Sequence, residues 1–339
     1  MEKYYCRMLI EINAFGGRNM SQKIMLVGEP MALFIAQEEN PLECVKQYST
    51  SVAGAELNVA IGLTRLEHSV GYLTKLGTDP FGKQIVNRIK EIGIDPSLIS
   101  FSNDKKTGFM LKSKVSSGDP EIYYYRKNSA ASSISKEDID RIDFSQYGYL
   151  HMTGIFPALS ETTLESAKYL MQKAKENGLV IFFDPNLRPQ LWPDKQTMVS
   201  TLNKLAREAD YFLPGCNEGE ILMGSRVPEQ IAKHYLQLGP KAVIVKTGKK
   251  GAFASTKEKS FSLPTYPAEK IVDTVGAGDG FAAGVISAVM EGLSLEQAVD
   301  RGNAVGTIQV MSVGDNEGLP TRAQLQKFMK ENQPEAEEK

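Results

Sequence analysis

The sequence predicts an α/β fold, a mainly parallel sheet covered by helices on both faces with a small second sheet beside it. Two observations carry this expectation. Short apolar runs closed by glycine alternate with segments of helical period along most of the chain. Residues 105–127 break that rhythm and read instead as two β-rich arms around Ser-Ser-Gly-Asp-Pro. A length of 339 residues suits one large α/β domain, or a domain with an insertion.

Each element has its own local reason. "KIMLVGE" (23–29) is an apolar run ended by glycine, as in a buried strand, and residues 31–50 supply neighbours for the small sheet. "AELNVAIGLTRLE" sets Leu57, Ile61 and Leu66 at helical spacing, and "SVGYLTKLG" (69–77) is the next strand. A helix then starts with Asp79 at its N-cap and Pro80 in its first turn; Ile85, Ile89 and Ile92 form the buried face and Gly93 the end. From residue 147 the alternation resumes with the strand "YGYLHMTG", the helix "SETTLESAKYLMQKAKENG", the strand "LVIFFDPN" and the helix "VSTLNKLAREA". "DYFLPG", a short helix from Asn217, "PEQIAKHYLQLG" and the strand "KAVIVKTG" follow. Ser294 and Gln297 make a capping box for the late helix "SLEQAVDRGN" (294–303), the charged tail is drawn at 326–339, and its end "ENQPEAEEK" is expected to be disordered. Residues 1–19 lack the features of a signal peptide. Met20 is the expected initiator and 1–19 a non-native start; the alternative is an arm that docks Tyr4, Tyr5 and Phe15 on a partner.

Composition excludes several functions. The formal net charge of −2 offers no basic field for nucleic acid or an anionic membrane. No apolar run reaches the ~18 residues that a membrane span needs. Cys6, Cys44 and Cys216 are odd in number and far apart, which argues against a disulfide framework and suits a reducing cytoplasm. His68, His151 and His234 are scattered, so structural roles are expected and no metal cluster.

The chemistry concentrates in "DTVGAGDGFAAGV" (273–285). Phe281, Val285, Ile286, Val289 and Met290 recur at helical spacing and Gly292 ends the run, so a helix begins near Ala277. Its first-turn N–H groups have no intrahelical acceptors and its dipole adds positive potential, which suits a phosphate. Alone, the pattern also reads as a capped core helix with Asp279 complementing the dipole. Two other glycine patterns fail: "GTDPFGKQ" has Gln84 where a P-loop needs a hydroxyl, and "GAGDGF" has Phe281 where a dinucleotide fingerprint needs its third glycine.

The run D-T-x-G-A-G-D is strongly similar to the C-terminal signature of the ribokinase/PfkB family of sugar kinases. "AGAELNVA" (53–60) resembles the family's sugar-binding segment, "LGTDPFG" its G-x-D-x-F-G element, "NEGE" (217–220) its N-x-x-E motif and "VKTGKKG" (245–251) its nucleotide-side loop. The resemblance spans about 20–325 and implies a ribokinase-like three-layer α/β/α fold whose small sheet, from about 31–50 and 105–127, is a lid. It implies that Asp279 is the base that takes the proton of a sugar hydroxyl attacking ATP, with the amides of Gly276, Ala277, Gly278 and Asp279 as an anion hole. From its near-normal ~3.9 value and the helix terminus, Asp279 is expected to be ionised at neutral pH.

Asn217 and Glu220 by themselves fit a plain helix cap; the resemblance implies that they order water around Mg²⁺. It also implies nucleotide contacts for Asn186, Asn217, Glu220, Lys246, Thr247, Gly248, Gly251, Gly276, Gly278 and Asn303. A K⁺ site on the carbonyls of Asp273 and Val275 is a further implication. For the substrate, Arg126 ends the hairpin and Arg188 follows a core strand, where α/β sheets bind ligands. A lone arginine usually makes an ordinary surface ion pair, but two facing one cleft suit a carboxylate better than a neutral sugar. These segments, with "GEPMALF" and "HMTGIFPALS", resemble in particular the family's 2-keto-3-deoxygluconate kinases. Gly54, Asn58, Tyr124, Arg126 and Arg188 are then implied to hold the sugar acid and Asp279 its terminal hydroxyl. Another sugar kinase, such as a fructokinase or ribokinase, and a non-catalytic sugar-acid-binding regulator are the alternatives. Exposed lid strands make a homodimer or higher homo-oligomer the expected assembly.

Overall fold

The structure is a computed structural model and describes residues 22–115, 120–312 and 314–332. The proposed arm at 1–19, the tip of the hairpin at 116–119 and the end of the tail at 333–339 lie outside the described residues.

In chain order, β1 (Lys23–Val27), β2 (Met31–Ala36) and β3 (Tyr48–Ala53) lead into α1 (Ala55–Arg65). β4 (Val70–Gly77), α2 (Pro80–Ile92), β5 (Ile99–Ser102), β6 (Phe109–Lys112) and β7 (Ile122–Tyr125) follow. Next come a one-turn α3 (Lys136–Ile139), β8 (Tyr147–Thr153), α4 (Glu161–Glu176), β9 (Val180–Asp184), α5 (Lys195–Ala206) and β10 (Tyr211–Phe212). The chain ends with α6 (Cys216–Met223), α7 (Pro228–Leu236), β11 (Ala242–Lys246), β12 (Ala252–Ser255), β13 (Ser260–Leu263), α8 (Ala277–Met290), α9 (Leu295–Val310) and α10 (Arg322–Glu331).

Nine strands form one sheet in the order β13-β12-β11-β10-β9-β8-β1-β4-β5. From β11 to β5 all neighbours are parallel; β12 and β13 add an antiparallel edge. The period of two along β1 shows why helices cover both faces. Ile24 and Leu26 join the core under α1, α2, α8, α9 and α10, whereas Met25 and Val27 join the core under α4, α5, α6 and α7. The three-layer expectation is thus met, and α8, apolar almost all round, is buried accordingly.

The second sheet runs β3-β2-β6-β7. Its alternation sorts side chains to opposite faces: Ile122 and Tyr124 face the cleft beneath, while Tyr123 and Tyr125 are exposed. Asp79 caps α2 by accepting from the Gly82 amide at 2.9 Å, and its other oxygen accepts from Thr107 at 2.8 Å, which ties the lid to the main body.

Three local expectations need correction. The short helix begins at Cys216 with Gly215 as its N-cap, so Asn217 lies inside the first turn. The late helix does not stop near Asn303 but runs to Val310. Residues 326–331 are not tail: α10 crosses the boundary drawn at 325, with Leu325 buried and Phe328 and Met329 packed on the core. Among the described residues no helix is long and apolar enough to cross a membrane.

Candidate active site

The parallel strands end on one side of the sheet, and the loops leaving them wall a cleft of about 420 Å³. Glu29 follows β1, Thr153 ends β8, Asp184 ends β9 and Lys246 ends β11. The lid closes the opposite wall with Met31, Met110, Ile122 and Tyr124, and the start of α8 forms the floor.

That floor is built by Gly276. It caps α8 with φ 79°, and a Cβ there would lie 2.1 Å from the carbonyl oxygen of Asp315, so only glycine fits. The helix's first backbone bond within reach is Gly280 N–H to Gly276 O at 2.8 Å, which leaves the amides of Gly278 and Asp279 ahead of it. The Ala277 amide turns back on Thr274 O at a long 3.4 Å. Asp273 steadies the turn by accepting from the Val275 amide at 3.0 Å.

Asp279 stands in the first turn of α8 and lines the cleft. Asn58 of α1 donates to one of its oxygens at 2.8 Å, and Asn316 orients that amide by donating to the Asn58 oxygen at 3.0 Å. Gly54 starts α1 with φ 143°, where its Cα passes so close to Glu29 that a Cβ would meet the Glu29 carbonyl at 2.8 Å. Burial pushes the Asp279 carboxyl up to about 7, and repulsion from Asp184 adds to this; Asn58, Arg188 and Lys246 pull the other way. The expectation of a carboxyl that titrates near its ordinary value is therefore overturned by desolvation, which outweighs the helix terminus. An acid poised near neutrality is well matched to proton transfer.

Lys246 faces this turn. Its Nζ pairs with Asp184 at 2.6 Å, lies 3.9 Å from Glu218, and would be 3.9 Å from a Cβ on Gly278. Burial works against the ammonium, but Asp184 and Glu218 outweigh it and hold its pKa above the ordinary value. Glu218 accepts from the Gly215 amide at 2.6 Å and the Leu187 amide at 3.0 Å, and burial pushes its carboxyl up. Asn186 sits at φ 35° and its amide donates to Asp184 at 3.0 Å, which fixes the turn after β9.

The two arginines differ. The Arg126 guanidinium, nearly buried, grips Glu29 through Nε at 2.6 Å and Nη2 at 2.5 Å and lies over the Tyr124 ring. Arg188 donates to the Leu187 carbonyl at 2.9 Å, and no carboxylate among the described residues lies within ion-pair distance of it. Behind Glu29, Glu56 accepts from Thr153 and burial pushes its carboxyl up to about 7.

Of the residues singled out from sequence, the cleft gathers Gly54, Asn58, Tyr124, Arg126, Asn186, Arg188, Lys246, Gly276, Gly278 and Asp279. Asn217 and Glu220 are not among its lining residues: Arg226 bonds the Asn217 oxygen and lies 3.5 Å from Glu220, whose side chain is 53% exposed. Glu218, two residues before Glu220, lines the cleft. Thr247, Gly248 and Gly251 form the turn from β11 to β12, with Thr247 N–H bonding Gly251 O at 2.9 Å. Asn303 is buried and spends its amide on the carbonyls of Leu263 and Pro264 at 3.2 and 3.0 Å. Glu29, Glu56, Asp184, Glu218 and Asp315 line the cleft without having been foreseen. For Glu218 a signal existed: Gly215 followed three residues later by glutamate is a helix-start pattern.

A sheet with its acid, amide turn and lysine at the strand ends, under a small lid sheet, defines a phosphoryl-transfer fold. The profile of the pfkB family carbohydrate kinases matches residues 21–322, and the chain belongs to that family. Among curated relatives it is 48% identical over 303 residues to the 2-dehydro-3-deoxygluconokinase of Bacillus subtilis, covering 89% of this chain and 94% of that one. The 2-dehydro-3-deoxygluconokinase of Thermoproteus tenax is 29% identical over 91% of this chain and 94% of its own. Among solved structures, a PfkB protein from Polaromonas superposes with a TM-score of 0.83 at 42% identity, over 90% of this chain and 99% of the other. An E. coli protein solved in complex with ATP and Mg²⁺ gives 0.85 at 27% identity, over 91% and 99%.

Proposed function

We propose that this sugar kinase transfers the γ-phosphoryl group of ATP to the terminal hydroxyl of 2-keto-3-deoxygluconate, yielding the 6-phosphate and ADP. The observation that carries the reading is Arg188, a guanidinium in the same cleft as Asp279 with no carboxylate within ion-pair distance among the described residues. A sugar acid brings the missing anion, and its carboxylate can take two parallel hydrogen bonds from such a group. Arg126, already bound to Glu29, offers its remaining donors and positions Tyr124. The identity to the Bacillus subtilis enzyme supports the same substrate.

Asp279 accepts the hydroxyl proton as the oxygen forms its bond to phosphorus and the bond from phosphorus to the ADP oxygen breaks. The Gly278 and Asp279 amides and the Lys246 ammonium meet the charge on the transferring oxygens. A hydrated Mg²⁺ ion brought in with ATP would supply further charge neutralisation. Asp184 and Glu218, two hard carboxylates at the cleft wall, fit such a hydrated ion through water. Lid closure excludes competing water. The cytoplasm, where ATP is abundant, is the proposed compartment. Pairing through the lid's outer strands β3 and β7 is the proposed route to a homodimer; sedimentation of the intact protein tests it.

A second reading, a kinase of neutral sugars, draws on the Glu29–Arg126 pair, which offsets one of the two positive charges. ADP release with ATP and Mg²⁺ across keto-deoxy acids, fructose and ribose separates the two. The acid should be the best substrate, and Arg188→Met should raise its KM about tenfold or more while leaving KM for neutral sugars within about twofold. Faster turnover of fructose than of the acid overturns the proposal.

A further inference from the structure

The resemblance to the sugar kinases implied a K⁺ ion on the carbonyls of Asp273 and Val275, and the side chains around that turn do not suit one. The Gln309 amide nitrogen, fully buried, donates to the Gly314 carbonyl at 2.8 Å and reaches the Val275 carbonyl at 3.4 Å. It also lies 3.3 Å from where a Cβ on Gly276 would stand, directly beneath the cap of α8. On the other side of the turn, Lys112 extends from lid strand β6. Its Nζ pairs with Asp273 at 2.8 Å and Asp315 at 2.9 Å, and its side chain is 6% exposed. Asp273 is the same carboxylate that accepts from the Val275 amide, and Asp315 is the residue whose carbonyl abuts Gly276.

We propose that Lys112 and Gln309 are positioning residues that hold the phosphate-facing turn at 273–276 in place of a monovalent cation, so that turnover needs no K⁺. The division of labour follows from charge. The Gln309 N–H₂ presents its donors to the carbonyls of Val275 and Gly314, as a cation on those two oxygens would, while its own Oε1 is buried with no hydrogen-bond partner among the described residues. A buried ammonium between two carboxylates supplies the full positive charge that the acidic turn requires, and leaves little for a soluble ion to neutralise. The two devices differ in origin: Gln309 belongs to α9 and is always present, whereas Lys112 arrives with the lid. The turn is therefore fully braced only when the lid is seated, which couples closure over the sugar to the geometry of the anion hole. Neither side chain touches the reacting atoms. Their effect should fall on the rate of transfer rather than on sugar binding.

This inference rests on the kinase reading, but one of its readouts does not depend on turnover. Wild-type kcat and the Tm of the ligand-free protein are compared in KCl and tetramethylammonium chloride at equal ionic strength of about 0.1 M, so that screening is the same. Both should be unchanged, kcat within about twofold. Lys112→Met should lower kcat about tenfold or more while KM for the sugar acid moves less than about threefold. A fivefold or larger stimulation of the wild type by K⁺, a Tm that rises in K⁺ alone, or a Lys112→Met kcat within about twofold of wild type would overturn it. If no sugar is turned over in either salt, the kinase reading fails, and the Tm comparison still decides the cation question.

Discussion

Helix α8 carries an acid near each end, and the two are opposites. Asp279 sits in the first turn, where the helix dipole favours a negative charge, yet its carboxyl is pushed up to about 7. Glu291 sits at the C-cap, where the dipole disfavours a negative charge, yet its carboxyl lies well below the usual range. Partners, not position on the helix, explain the inversion. Burial opposes the charge at both sites. At Glu291 the bonds from His68, Arg301 and Arg322 outweigh it, with both guanidinium groups at 2.8 Å. Asp279 has one neutral amide donor and a nearby like charge, so burial prevails. One carboxylate is neutralised to hold α8 and α9 to α10; the other is left short of partners at the mouth of a cleft, which is the arrangement that proton transfer needs.

The contrast can be tested at either end. The largest effect is expected from Asp279→Asn, which should keep the fold and lower kcat by about 10²–10⁴, read as ADP release. Near-wild-type turnover would place the base elsewhere. At the other end, Glu291→Gln should leave kcat within about twofold but lower stability by about 2 kcal/mol in denaturant unfolding, because two guanidinium groups lose their anion. An unchanged midpoint would mean that the cluster is dispensable. The smallest effect separates the two acids by sign. A carboxyl whose folded pKa lies above its unfolded ~3.9 costs stability once ionised; the cost grows as pH rises from about 4 to 7 and is complete above. Asp279→Asn should therefore raise Tm at pH about 8 and lose that advantage as pH falls towards about 4. Glu291, depressed rather than raised, should show the reverse, its contribution being lost as acid protonates it. A Tm difference for Asp279→Asn that does not change with pH would remove the burial argument.

Much of this site was legible in the sequence because its parts are local. The start of α8, the acid at its third residue, the lysine at the end of β11 and the two loop arginines each follow from a short motif or a strand end. The alternation along β7 is also local, and it presents Tyr124 to the cleft. What escaped depends on faces and long-range approach. Glu218 and Glu220 are two residues apart on α6, so they point to different sides, and only the packed helix shows that Glu218 enters the cleft. Glu29 and Asp184 meet their partners Arg126 and Lys246 across gaps of 97 and 62 residues. The raised carboxyl of Asp279 has no sequence signal at all, because desolvation is a property of what surrounds it. Helix α10 was masked by its charge: most of its surface is polar, and its apolar anchor is only Leu325, Phe328 and Met329.

Burial also pushes the carboxyl of Glu56, in the cleft wall, up to about 7, so the most direct test of Asp279 as the base must tell the two apart. That test is the pH dependence of kcat/KM for the wild type and for Glu56→Gln. The account predicts that both rise tenfold per pH unit below about 7 and level off above it, as one ionising base requires. A flat profile, or a rise that disappears in Glu56→Gln, would contradict it.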